Sequence, residues 1–272
     1  MQCIKHIFSQ SIAAAIMAVV FILPVSAETS HDYPGPGELI LTATVLLSAG
    51  AIDLWGHTGP VQPNESAGTL DYRINDHYGP VSRPATIAGD IIYWSAIAVP
   101  VTLYGLKAIM GPGTLRPLHV RMGLTWLQGF AAIYFTTQIF KVSVRRHRPD
   151  GEDTGSFFSG HASLSFYSAA FISGYLGDLI ASETGTSAGE ILLARVLPPV
   201  ILYSAAGFCA WSRIRNHKHY FSDVIAGSAA GILIGNMAYY IFFPRQKSQN
   251  SSLSFFPLLL PGTSGLAVQL AF

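Results

Sequence analysis

Six apolar stretches, at roughly 39–55, 90–110, 122–140, 160–181, 191–212 and 221–243, recur along this 272-residue chain with short polar connections between them. A run of about 20 such residues is what an α-helix needs to cross the core of a bilayer. None of the stretches shows the strict alternation of a barrel strand. Half the residues are hydrophobic and only 11% are charged, which sets the chain apart from soluble globular averages. The fold expected is all-α, a polytopic membrane helical bundle with five or six long helices.

A net charge of +1 gives no global field that would point to nucleic acid, so basic residues matter only where they gather, at 141–148 and 213–219. The two cysteines, Cys3 and Cys209, supply neither a disulfide framework nor a metal spacing. Lys5 and His6, a short apolar run from Ile12 to Leu23, and small residues up to Ala27 describe a secretory signal peptide over 1–27. The remaining organisation is then a 28–89 region with an interfacial helix and an exposed loop rich in Gly, Pro and charge, a 90–243 catalytic membrane domain, and a 244–272 tail. Loose alternation around Leu266, Val268 and Leu270 makes the tail either a short strand or a disordered end.

Topology follows from where Lys and Arg collect, because positive loops tend to stay cytoplasmic. Lys107, Arg116, Arg121, Arg245 and Lys247 placed inside put the 141–161 and 213–223 connections outside, provided that 39–55 is only partly inserted. A full crossing by 39–55 after signal cleavage turns that face inward. Gly227, Gly231 and Gly235 recur every four residues, a small-residue face for close helix packing.

Three constellations carry chemistry. Lys141 and Arg148-Pro149 stand two helical turns apart at a helix end, where an ammonium and a guanidinium fork together suit the several oxygens of a phosphate. By itself this cluster reads as a contact for anionic lipid headgroups. Ser159-Gly160-His161 opens the next apolar run, so that unpaired amides, a hydroxyl and a titratable ring gather at a helix start. By itself it reads as an N-cap. Ser212-Arg213, His219 and Asp223 complete the set, with His219 and Asp223 at i and i+4 so that the carboxylate can orient the ring for nucleophilic attack. Taken together at one membrane face, they provide the charge neutralisation and alignment that phosphoryl transfer needs.

The spacing resembles the type 2 phosphatidic acid phosphatase superfamily, which includes membrane lipid phosphatases and vanadium haloperoxidases. Its pattern of Lys-x6-Arg-Pro, Pro-Ser-Gly-His and Ser-Arg-x5-His-x3-Asp is matched by Lys141–Pro149, Phe158–His161 and Ser212–Asp223, with Phe158 in place of the usual Pro. The resemblance implies that Lys141, Arg148, Ser159, the Gly160 backbone and Arg213 bind phosphate. It also implies that His219 attacks phosphorus, Asp223 orients it, His161 protonates the leaving oxygen, and no metal or other cofactor takes part.

The expected activity is hydrolysis of a lipid phosphate or prenyl pyrophosphate at a bacterial inner membrane, with the active face toward the periplasm and membrane lipids as surroundings. Two alternatives differ in kind: a vanadate-dependent haloperoxidase, and a non-catalytic lipid-phosphate binder or transporter. The complete set of two histidines and a carboxylate argues against the binder.

Overall fold

Pro36 and Glu38 open the first helix, where a proline has no amide to lose and an acid meets the positive end of the helix dipole. In the computed structural model, residues 35–55, 67–110, 116–183, 187–242, 252–260 and 263–271 are described. The expected signal peptide at 1–27 lies outside the described residues. The chain divides into two units, Met1–Phe242 and Phe243–Phe272.

The described helices of the first unit are α1 (Pro36–Trp55), α2 (Thr69–His77), α3 (Arg83–Met110), α4 (Arg116–Val144), α5 (Gly160–Glu183), α6 (Ala188–Ile191), α7 (Leu197–Arg215) and α8 (Phe221–Phe242). A π-helical turn, Leu192–Val196, runs directly into α7, whose early Pro198 and Pro199 sit where a helix tolerates them. Five helical stretches, Pro36–Leu54, Arg83–Lys107, Gly160–Ala181, Leu192–Arg215 and Phe221–Tyr240, are long and apolar enough to cross a membrane. The expected membrane helical bundle is the architecture of this unit, and the protein is a multi-pass membrane protein.

α4 is as long as its neighbours but buries Thr125, Gln128, Thr136, Thr137 and Gln138. It packs against α1, α3, α5 and α8. A helix surrounded by protein has no need of an apolar surface, which is why it falls short on hydropathy. α1 and α3 show the opposite habit, exposing Leu47, Trp94 and Ile109, as lipid-facing helices do.

α1 lies along α4 in the same direction. Arg121 pairs with Glu38 at 2.7 Å near one end of the two helices, and the Tyr134 hydroxyl donates to Asp53 at 3.1 Å near the other. The stretch 39–55, expected as an interfacial or partly inserted helix, forms most of α1, a 20-residue helix alongside α4 that is long and apolar enough to cross. The 56–89 stretch read as an exposed loop also holds a helix, α2, and the beginning of α3.

α5 and α8 meet along the small-residue face read from the sequence. A Cβ placed on Gly227, Gly231 or Gly235 would stand 2.6, 2.2 and 2.6 Å from the carbonyl oxygens of Ser159, Ser163 and Tyr167. Only glycine permits that approach. Gly89 does the same for α3 and α7, since a Cβ there would lie 2.0 Å from the Ser212 hydroxyl oxygen. These two close contacts bring the beginnings of α3, α5 and α8 to the end of α7. The second unit is an antiparallel ribbon of β1 (Ser252–Leu260) and β2 (Thr263–Ala271), pairing Leu253 with Leu270 and Phe255 with Val268. The tail thus takes the strand form of the two that its alternation allowed.

Candidate active site

Lys141 stands in the last turn of α4, His161 in the first turn of α5, Arg213 in the last turn of α7 and Asp223 in the first turn of α8. Arg148 and Ser159 lie on the connection between α4 and α5, and His219 on the turn between α7 and α8. Backbone bonds knit the connections together at this rim. Ser159 N–H donates to the Asp223 carbonyl at 3.1 Å, Asp150 N–H to the His217 carbonyl at 3.0 Å, and His219 N–H to the Arg213 carbonyl at 3.3 Å. His217 holds a left-handed backbone at φ 56°, which reverses the chain into His219.

His219 is buried, and its Nδ1 lies 2.8 Å from the carbonyl oxygen of Ser156. A carbonyl only accepts, so Nδ1 carries the proton and Nε2 keeps its lone pair. Burial, then the cations Arg148 and Lys141, hold the ring well below the ordinary histidine pKa, and His161 adds to that effect. The result is a neutral imidazole facing positive charge, the state a nucleophilic histidine needs.

Asp223 does not touch that ring directly. Its Oδ2 is 4.0 Å from His219 Nδ1, too far for a hydrogen bond. Instead Asp223, with no exposed surface, accepts from the Ser156 hydroxyl, the Tyr220 amide and Arg146. The i, i+4 spacing gave proximity, but the acceptor for Nδ1 is a backbone carbonyl whose residue Asp223 holds by its side chain.

Opposite lies a second set. Asp90 of α3 accepts from Arg213 Nη2 at 2.8 Å and stands 3.2 Å from His161 Nε2. The His161 ring stacks on Tyr93 at 4.1 Å between centroids. The Lys141 ammonium lies beside Gly160, 3.8 Å from where a Cβ would be. Ser159 is buried and its hydroxyl oxygen faces the Ala162 amide at 3.5 Å, a loose N-cap. Arg148 is steadied by Asp153, which accepts from its Nε at 2.7 Å. Phe158, where the resembling family has Pro, packs on Phe140 at 5.2 Å between centroids.

Each residue singled out in the sequence therefore lies at one rim of the bundle. Three that shape the site went unremarked: Asp90, Arg146 and Ser156. Asp90 had a readable signal, an acid at the head of an apolar run, which inside a membrane segment marks function by default. Arg146 was hidden within a basic cluster, and the part played by Ser156 runs through its backbone.

Fold and rim together define a multi-pass helical membrane protein with a cluster of cationic and histidine side chains at one end of its helices. Residues 123–247 match the PAP2 superfamily. It is 35% identical over 151 residues to a PA-phosphatase related-family protein of Dictyostelium discoideum, covering 50% of this chain and 53% of the relative. It is 36% identical over 101 residues to the lipid A 1-phosphatase of Porphyromonas gingivalis, covering 37% of this chain and 19% of the relative. Phospholipid phosphatase 2 of Bos taurus is 28% identical over 203 residues, or 73% of this chain and 62% of the relative. The chain thus spans less than two thirds of the length of each of these relatives. No solved structure matches it at a significant level.

Proposed function

We propose that the protein is a membrane phosphatase that hydrolyses a lipid phosphate or prenyl pyrophosphate through a phosphohistidine. The observation that carries this reading is the buried His219, whose Nδ1 is engaged by the Ser156 carbonyl at a rim that also carries Lys141, Arg148 and Arg213. Relatives whose names are those of lipid phosphatases support the substrate class.

In the first step the Nε2 lone pair of His219 forms a bond to phosphorus while the bond to the leaving oxygen breaks. His161 supplies the proton that this oxygen takes. In the second step His161 accepts a proton from water, the water oxygen attacks phosphorus, and the N–P bond breaks to return His219 and inorganic phosphate. Lys141, Arg148, Arg213, Ser159 and the Gly160 backbone hold the phosphoryl oxygens. Their positive charge does the neutralising work that a metal ion does in other phosphatases, so no metal is needed. Because the site residues stand at the ends of spanning helices, a lipid can present its phosphate while its chains stay in the bilayer.

We place the protein in a bacterial inner membrane with six crossings, α1 included, and with the rim facing the periplasm. Lys107 and Arg121 lie at the opposite ends of the helices, where positive charge stays inside, while the cations of the rim are assigned to the phosphate site and its supports and not to topology.

The test is phosphate release by the purified full chain in detergent. Phosphatidic acid, phosphatidylglycerol phosphate, undecaprenyl pyrophosphate, lipid A and a soluble phosphate ester are compared, with and without a chelator. Release from lipids, unaffected by chelation and abolished in His219→Ala, is expected. Near wild-type turnover in that variant overturns the mechanism. Binding without release points to a lipid-phosphate carrier, and halide oxidation that depends on added vanadate points to a haloperoxidase.

A further inference from the structure

α2 has no place in the mechanism above and lies outside residues 123–247, which match the PAP2 superfamily, yet one of its side chains reaches the buried centre of the rim. Asp71 is 5% exposed. Its Oδ1 accepts from the Ser222 amide at 2.9 Å, and its Oδ2 accepts from the Ser222 hydroxyl at 2.7 Å and from Arg146 Nη2. Asp71 therefore caps the first turn of α8 from another helix, a position where the dipole favours a carboxylate. Burial pushes its pKa up, but the Ser222 amide and hydroxyl and Arg146 bring it below the ordinary carboxylate value.

Arg146, buried and lying over the Tyr220 ring at 4.3 Å, divides its guanidinium between two acids. Nη2 goes to Asp71, while Nη1 goes to Asp223 and to the Ser222 hydroxyl at 2.7 Å. Asp223 spends its other oxygen on the Ser156 hydroxyl and the Tyr220 amide. Ser156 in turn accepts the Nδ1 proton of His219 through its carbonyl. A continuous run of hydrogen bonds thus leads from Asp71 to the attacking ring.

We propose that Asp71 is a positioning residue for the reaction, which fixes the tautomer of His219 through Arg146, Asp223 and Ser156. The inference rests on the phosphohistidine reading. Its physical basis is the sharing of one guanidinium between two carboxylates. With Asp71 in place, Arg146 gives Asp223 one arm, and the remaining carboxylate oxygen keeps Ser156. Without that anchor the planar fork is released to grip Asp223 with both arms, the Ser156 hydroxyl loses its acceptor, and the carbonyl that holds His219 is no longer fixed.

α2 keeps other anchors whatever happens at Asp71. Asn75 Oδ1 is 2.7 Å from His217 Nδ1, Arg215 donates to the Pro80 carbonyl at 2.7 Å, and Tyr72 meets Tyr220 edge-on at 5.8 Å. Docking of the helix and positioning of the ring are therefore separable by mutation.

The experiment measures kcat, KM and thermal melting of the full chain in detergent, using the best lipid substrate of the panel above. Asp71→Asn is expected to lower kcat about tenfold or more with KM within about twofold, and Asp71→Glu to recover much of the loss. Ser156→Ala removes the same link without touching α2 and is expected to lose kcat in the same way, so the inference stays testable if Asp71→Asn melts. Tyr78→Phe, which removes the bond from the Trp211 indole N–H to the Tyr78 hydroxyl at the end of α2 and touches no residue of the run from Asp71 to His219, is expected to leave kcat unchanged. Wild-type kcat in both Asp71→Asn and Ser156→Ala overturns the inference, as does an equal loss in Tyr78→Phe. His219→Ala separates the two levels. Activity there removes the phosphohistidine reading itself, whereas a dead His219→Ala beside a fully active Asp71→Asn overturns only the role of Asp71.

Discussion

Asp90 sits between the two groups that the mechanism assigns to the leaving side of the phosphate, Arg213 and His161. A carboxylate there does two things at once. It turns the guanidinium, and it supplies a partner for the ring nitrogen that exchanges protons with the substrate. Asp90→Asn keeps the shape and removes the charge, so Arg213 is freed for phosphate while His161 loses the carboxylate beside its ring. The expected result is a kcat lower by about 10- to 100-fold, with KM unchanged or reduced. Steady-state kinetics on the lipid substrate check it, and an unchanged kcat would remove Asp90 from the chemistry. His219 carries a pH consequence as well. Burial and the neighbouring Arg148 and Lys141 keep it unprotonated below the ordinary histidine range, so the acidic limb of kcat/KM is expected below about pH 6.5. Residue types and spacing singled out Lys141, Arg148, His161, Arg213, His219 and Asp223, which the fold brings to one rim, because holding a phosphate calls for cations and imidazoles at particular turns of particular helices. They did not reveal the Ser156 carbonyl, because any residue has one.

At the scale of elements, the site depends on how closely helices approach. Gly231 on α8 leaves no room for a side chain against the Ser163 carbonyl of α5, and these helices carry Asp223 and His161. Gly231→Val forces the two apart, with a stability loss of about 1–3 kcal/mol from overpacking and a drop in activity, read by thermal melting and turnover in detergent. Gly207 on α7 is the control, since a Cβ there meets nothing within 4 Å. Gly207→Ala is expected to leave melting unchanged or raise it, by about 0.5–1 kcal/mol of helix propensity. Equal losses in both variants would show that the α5–α8 seam has no special weight. The four-residue glycine spacing made this seam readable in the sequence. α2 was not readable, since a nine-residue helix in a Gly- and Pro-rich stretch has little periodicity of its own and is held by long-range polar bonds from Asp71 and Asn75.

At the scale of the whole molecule, the direction of α1 decides which way the site faces. α1 runs parallel to α4, so its beginning at Pro36 and the ends of α3 and α8 lie opposite the rim. If α1 crosses fully, a leader cleaved after Ala27 would deliver residue 28 to the outside and turn the rim inward. Lys107 and Arg121 near the opposite ends instead favour an inside location for Pro36, and hence an outward rim. The two sequence expectations, a cleaved signal peptide and a periplasmic site, therefore exclude each other once α1 spans. Single cysteines decide between them: Glu152→Cys at the rim and Met110→Cys at the far end of α3, both at exposed positions. With a membrane-impermeant maleimide on cells whose outer membrane has been opened, Glu152→Cys is expected to label at once and Met110→Cys only after the inner membrane is permeabilised. The reverse pattern would put the rim, and with it the proposed phosphate release, in the cytoplasm.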